Sequence, residues 1–483
     1  MENTGTKIDL KEQLLWEYKR FESDMSEAAA TTIHKVRREA KECFVNLGFP
    51  GKTDEEVTQR SQRRRREELF ENKSKILFEE WRFTNVNPVI ANDYKQTFQP
   101  DTKALNRFKR DKYLVHGLDA DYIVLINGIY SEKLSVFPEQ NLFNTPELFH
   151  KGENGLYIGG FMYAQTAIPL IIENHFGKYA DFTKDGFTAL NTAYTYDGSM
   201  IYLNNGKRAR KPIVILNIAD STDNDVIINT RNLIILGDNV SADITELFYS
   251  TGNGKSFTNT VSEIVLGNNS ELHYNKIQNE GENTYHVGTT QFHQDKDSSV
   301  FSTTVSWGGS ITRNNLNSYI GAEGVNCYFR GLYIVKDNQI IDNHTLADHA
   351  YPNSRSNEHY KGILDDSGTG IFNGKIMVRQ DAQKTNAYQT NNNILLSDNA
   401  AINSKPQLEI FADDVKCSHG ATTGQLNPDE LFYLRTRGIG EEDAKRMLLF
   451  AFGNEIIQEI KNEPLREMLI IMLNEKLDKN GNR

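Results

Sequence analysis

The stretch "VIINTRNLIILGDNVSADI", Val226 to Ile244, decides the fold. A run rich in β-branched residues ends at Leu236. A glycine–aspartate–asparagine turn follows, and the chain returns to β-forming residues. The same unit recurs: an apolar residue, a small residue, a polar turn, then β residues. It appears as "LGNNSELHY" from Leu266, "IGAEGVNCY" from Ile320 and "LSDNAAINS" from Leu396. The spacings of 30, 54 and 76 are not a strict period. Around them, from about residue 120 to 415, lie further short β runs such as "YIVLI", "PIVILNI", "SEIVLG" and "YIVKDNQII", with little proline and no long helical pattern. This texture predicts a β-solenoid, in which each turn of the coil stacks on its neighbours and buries apolar side chains along a shared axis. Asparagine and glycine suit its corners, where positive φ is needed. A propeller would repeat more regularly, and one sandwich would be shorter.

The zones on either side read as helical. Leu14, Leu15, Tyr18 and Phe21 recur at helical spacing, and "GFPG" from Gly48 stops the pattern. A charged segment follows, with a basic run within Arg60–Arg66. Glu67, Glu68 and Glu71 flank it, so it reads as a solvated helix face. Beyond the β zone, Asn427 is the expected N-cap, Pro428 occupies the first helical position, and Gly438 ends the helix. A second helix starts near Glu441, with Ala444, Met447, Leu448, Ala451 and Phe452 as its apolar stripe. A third opens at Pro464, with Leu465, Met468, Leu469, Met472 and Leu473 inward.

Composition narrows the function classes. The 483 residues carry a net charge of −11, which argues against bulk nucleic-acid binding. No apolar run approaches the roughly 20 residues of a membrane span. The first residues resemble no signal peptide. Three scattered cysteines, Cys43, Cys327 and Cys417, suggest a reducing compartment, and a cytoplasmic protein is expected.

Most motif-like stretches fail on chemistry. "TGNGKS" (Thr251–Ser256) lacks the glycine a phosphate-binding loop needs, because Tyr249 stands there. His344 and His349 are five apart, which in a strand places them on opposite faces. Asp365–Asp366 reads as a turn, not as an acid–base pair. Cys417 and His419 differ. An offset of two puts both on one face of a β segment, and a thiol beside an imidazole can ligate a borderline metal or a cluster iron. Two ligands are too few for a closed tetrahedral site. Distant residues supply the others, a partner chain supplies them, or there is no site.

Longer stretches carry a family resemblance. "AYPNSRSNEHYKGIL", "GIFNGKIMVRQDAQKTNAYQTNNNILLSD", "KPQLEIFADDVKCSHGATTGQLNPDELFYLRTRGI" and "EEWRFTNVNP" resemble the SufB/SufD family of iron–sulfur cluster assembly scaffolds. The likeness is dense from about Ala189 to Ile439. "DDVKCSHGAT" followed by "GQL" is similar to the SufD form. Where SufB carries an acceptor cysteine, this chain has "TNNNILLSD".

The resemblance implies a mainly β fold, a right-handed parallel β-helix flanked by N-terminal and C-terminal α-helical domains. On that reading residues 1–100 form the helical N-terminal domain with an Arg-rich insertion. Residues 101–420 form the β-helix and 421–483 an ATPase-docking helical domain. The implied role is a non-catalytic scaffold that pairs with a SufB-like subunit through the β-helices. It docks a SufC-like ATPase and depends indirectly on a cysteine desulfurase. The implied cofactor is a transient iron–sulfur cluster at the SufB interface, none being tightly bound by this chain alone. His419, with Cys417, is the candidate cluster ligand. Leu431, Tyr433, Leu434, Arg435, Arg437 and Ile439 are the candidate docking residues. A competing reading is a β-helical carbohydrate-active enzyme, which would need carboxylates gathered across neighbouring turns.

Overall fold

Stacked parallel strands dominate the computed structural model. It describes residues 9–24, 32–50, 79–99, 101–137, 149–151 and 156–478. The Arg60–Arg66 run and most of the insertion before Trp81 lie outside the described residues.

The chain coils as a parallel β-solenoid of about eight turns, with helices at both ends of the sequence. One sheet stacks parallel strands from Gly198–Leu203 and Val226–Leu236 through to Ala401–Ile410. The other runs from Asp121–Ile126 and Ile213–Asp220 to Lys416–Gly424. Successive strands alternate between the sheets, so each turn contributes one strand to each. At one strand spacing per turn, the coil is roughly 35 Å long.

The register explains the irregular spacings in the sequence. Leu236 pairs with Leu266, Leu266 with Gln294, Gln294 with Ile320, and Ile320 with His349. The interval of 54 is therefore two turns. The intermediate unit is hidden because a polar residue, Gln294, replaces the apolar one. Its carboxamide stays buried by donating to the Asn326 carbonyl and accepting from Ser318 Oγ. The copy at Leu396 follows a strand of the other sheet, Asn386–Leu395, and so marks the opposite corner.

One corner is a column of left-handed residues: Asn239, Asn269, Asp297, Gly324, Asn353 and Lys384, with φ between 55° and 73°. The amides of Asn239, Asn269, Asp297, Asn353 and Lys384 each donate to a carbonyl in the next corner, at 2.6–2.9 Å. Asparagine tolerates this conformation better than other non-glycine residues. That preference produces the Asn-rich turns seen in the sequence.

Inward side chains fill the coil. Ile244, Leu272, Val300 and Cys327 belong to its apolar half. The other half is polar, with Glu246, Lys276, His286, Asn314, Glu358 and Gln389 all buried.

Helices cover the outer faces. Leu10–Asp24, Thr32–Leu47 and Gly186–Tyr194 pack over the first sheet near its start. Short helices also occur at Phe161–Ala167 and Pro169–His175, inside the zone where the sequence shows no long helical pattern. Gly186–Tyr194 is wholly buried, N-capped by Asp185, and held by the coil more than by its own periodicity. On the second sheet, Glu441–Ile457 and Glu463–Leu477 pack against Leu332, Ile334 and Ile363.

Asn427 caps the helix Pro428–Thr436, and Gly438 is left-handed after it. In the following helix the buried face is Ala444, Leu449, Gly453, Ile456 and Ile457, while Met447 and Ala451 are exposed. The apolar stripe is thus split into an inward face and an outward one. Gly453 draws the helix against Leu473 and Leu332, which rotates Met447 away from the coil.

"TGNGKS" is a coil corner between Ser241–Thr251 and Ser256–Leu266. His349 points inward and contacts Ser356 Oγ at 2.8 Å, while His344 lies on the outer face against Asp342 and Glu80. Asp366 sits in a turn with φ 51°.

Candidate functional site at the open end of the coil

The last turn has no neighbour on its far side among the described residues. Among the described residues, Ala401–Ile410 and Lys416–Gly424 each pair with one strand only, so each leaves a free edge of backbone donors and acceptors. The two edges are not equivalent. Ala401–Ile410 carries Lys405 and Pro406, a charge and a missing N–H that discourage further pairing. Lys416–Gly424, "KCSHGATTG", has no proline, and its threonines suit a strand.

Cys417 and His419 stand on this second edge. Cys417 pairs with Ala387 and His419 with Gln389. Ala387 and Gln389 are buried inward residues, so the register places Cys417 and His419 on the inward face, at the mouth of the coil. Cys417 is half-buried against the apolar half of the interior. Its burial pushes the thiol up, only partly countered by a backbone hydrogen bond at Ala387. A protonated thiol is a poor ligand and nucleophile. His419 is exposed, and no hydrogen bond holds its ring among the described residues. Of the two donors, the imidazole is the more accessible.

Beneath His419 the interior is polar. Gln389 Nε2 donates to Glu358 Oε2 at 2.8 Å, and Thr345 Oγ1 donates to the same oxygen at 2.6 Å. Burial pushes the Glu358 carboxyl up to about 7, against the lowering effect of those two donors. One turn further down, Cys327 is fully buried, and burial with the nearby Glu358 charge pushes its thiol up. The offset of two reveals the shared face of Cys417 and His419 in the sequence. Nothing there reveals Gln389 and Glu358, because only the register brings positions 31 and 30 residues apart into one row.

Among the described residues, no three His, Cys, Asp or Glu side chains gather closely enough to hold a metal ion. Cys417 and His419 therefore form a two-donor edge, not a closed site. Around the mouth lie exposed Tyr388, Ile410 and Phe411, the last 63% exposed. Apolar side chains beside an unpaired strand edge are what a partner strand would cover.

A second apolar surface lies on the C-terminal helices. Pro428–Thr436 contributes no buried residue. Leu431, Leu434 and Ile439 are half-buried, whereas Tyr433, Arg435 and Arg437 are exposed. Phe432, 68% exposed, and Met447 extend the patch, and sequence reasoning missed both as surface residues. The run "LFYL" was the available signal, since four consecutive apolar residues cannot share one helix face. Arg437 stacks over Tyr433 at 5.1 Å, and Arg435 lies 3.4 Å from Glu441.

Comparison with known proteins bears on both surfaces. Residues 218–452 match the family described as SUF system FeS cluster assembly, SufBD core domain, and residues 59–215 match the SufBD protein N-terminal region. The chain is 30% identical over 390 residues to an iron–sulfur cluster assembly SufBD family protein of Synechocystis, covering 79% of this chain and 83% of that one. It is 31% identical over 294 residues to the iron–sulfur cluster assembly protein SufD of Escherichia coli, covering 60% and 69% respectively. For SufD of Bacillus subtilis the identity is 28% over 313 residues, covering 61% and 69%.

Proposed function

The chain belongs to the SufBD family of the SUF iron–sulfur cluster assembly system, and from that premise we propose that it is a non-catalytic SufD-like scaffold subunit. In this reading the strand Lys416–Gly424 pairs with a SufB-like subunit, and the C-terminal helices dock a SufC-like ATPase. One observation carries the proposal: the coil ends in an unprotected strand edge that presents Cys417 and His419 on its inward face. A two-donor edge makes chemical sense where a second chain brings the remaining ligands. The cluster is then cargo assembled at the joint, not a resident cofactor.

His419 supplies an imidazole nitrogen to the nascent cluster. Cys417, its thiol pushed up by burial, joins only if a cation or metal draws off its proton. The docking face is the patch of Leu431, Tyr433, Leu434, Arg435, Arg437 and Ile439, extended by Phe432 and Met447. It pairs exposed aromatic rings with arginines, the residue types that dominate binding energy at interfaces. Sulfur reaches the joint indirectly, from a cysteine desulfurase. No helix among the described residues is long and apolar enough to cross a membrane. We place the assembly in the cytoplasm.

The test is co-expression with a SufB-like and a SufC-like partner, followed by iron and sulfide analysis. The three chains are expected to co-purify. His419→Ala should leave the complex and its melting temperature unchanged and lower cluster content at least about tenfold. Failure to form the complex would sink the reading. Full cluster content in His419→Ala would remove that residue from the site.

A further inference from the structure

Resting on the reading of His419 as the cluster-facing donor, we infer that Gln389 is its positioning residue. The carboxamide oxygen of Gln389 accepts one ring N–H of His419 and leaves the other ring nitrogen as a free lone pair facing out of the coil.

Four observations meet here. First, Phe329, Glu358, Gln389 and His419 form one inward row, paired across four successive turns. Neighbouring strands lie about 4.8 Å apart, so a ring at 419 reaches a carboxamide at 389 by rotation of its side chain. Second, Gln389 is 1% exposed, and its Nε2 is turned back to Glu358 one turn below. That bond leaves its Oε1 unengaged, and position 419 is the next one along the row. Third, that buried Oε1 has no hydrogen-bond partner among the described residues. An unsatisfied buried acceptor carries a cost that an incoming N–H relieves. Fourth, Gly374 makes the slot in which the amide lies. A Cβ there would sit 2.3 Å from Gln389 Nε2 and 2.6 Å from its Cδ.

The chemistry follows from the two nitrogens of imidazole. A ligating histidine needs one nitrogen deprotonated toward the metal, and an acceptor on the other nitrogen selects that tautomer and orients the ring. An exposed histidine with no acceptor samples both tautomers and many orientations. Gln389, fixed from below by Glu358 and from the side by Gly374, supplies the acceptor from a rigid element. Gln389 itself touches neither iron nor sulfide.

The experiment uses the full chain with ¹⁵N-labelled histidine, the His419 signal being assigned by its loss in His419→Ala. Two-bond nitrogen–proton couplings report the tautomer without any cluster present. The expected result is one dominant tautomer in the native chain. Gln389→Leu and Gly374→Ala should return it toward the ratio of a free histidine. Gln389→Glu, which keeps an acceptor, should retain the bias. Gly374→Ala displaces the same amide from the opposite sheet, so it stands in if Gln389→Leu fails to fold. In the three-chain complex, Gln389→Leu should lower iron and sulfide about tenfold. An unchanged tautomer ratio in Gln389→Leu and Gly374→Ala overturns the assignment of Gln389, whatever His419 does. A changed ratio with full cluster content in both Gln389→Leu and His419→Ala leaves Gln389 as the positioning residue and overturns the ligand role of His419 instead.

Discussion

Single residues inside the coil are polar where the sequence suggests only β texture, and burial shifts the protonation of some of them. Glu358 is the clearest case. Its carboxyl is raised from an ordinary value near 4.5 to about 7, because burial disfavours the anion more than Thr345 and Gln389 favour it. The folded chain therefore holds a proton there that the unfolded chain releases above about pH 4.5. The contribution of this group to stability is full below that pH and declines as pH rises to about 7. Glu358→Gln abolishes the decline. Urea unfolding of both proteins from pH 4.5 to 8 should show the native chain losing up to about 3 kcal/mol relative to the variant. A constant difference across that range would show that Glu358 titrates normally. Asp197 and His349 also depart from their ordinary values, so only the difference between the two proteins isolates Glu358.

At the scale of elements, the corner column governs how the coil turns. Asn269, at φ 55°, donates its side-chain amide to Asn239 Oδ1 at 2.8 Å and its backbone amide to the Lys296 carbonyl. Asn269→Ala loses the ladder bond and meets the left-handed penalty, a cost of about 1–2 kcal/mol. Asn269→Gly keeps the backbone geometry and should cost less than half as much. Thermal melting distinguishes them, and equal losses would point to the side-chain ladder alone. These corners were legible in sequence as Asn–Gly–Asp turns. Their period was not, because Gln294 and His349 occupy inward positions where the other copies carry Leu, Ile or Val. Gln294 is satisfied on both amide atoms, and His349 is held at Nε2 by Ser356 Oγ, through hydrogen bonds the sequence does not display. The second C-terminal helix shows the same limit. Its 3.6-residue pattern is plain, but which apolar side faces inward depends on where Gly453 meets Leu473 and Leu332.

At the scale of the whole molecule, a buried charged latch joins the N-terminal segment to the coil. Arg313 lies over Trp81 at 3.9 Å, donates to the Glu80 carbonyl, and pairs with Asp342 at 2.8 Å. Thr84 Oγ1 donates to Asp342, and His344 lies 3.0 Å from Asp342 and 3.3 Å from Glu80. Burial would raise the Asp342 carboxyl, but Arg313 and His344 overcome it and hold it well below the usual carboxylate range. Asp342→Ala strands the Arg313 charge and should cost about 3–5 kcal/mol in urea unfolding. Adding Arg313→Met should restore part of that loss. No restoration would mean that the latch acts through packing alone. Sequence by itself determined the β-solenoid, the flanking helices with their caps, and the shared face of Cys417 and His419. All of these follow from local rules: β-branching, left-handed turns, and periods of 2 and 3.6. Tertiary structure decided which turns stack, which edge stays open, and that Gln389 and Glu358 lie beneath His419. Those depend on register between strands about 30 residues apart, and register is set by the closure of each turn, not by any neighbouring pair of residues.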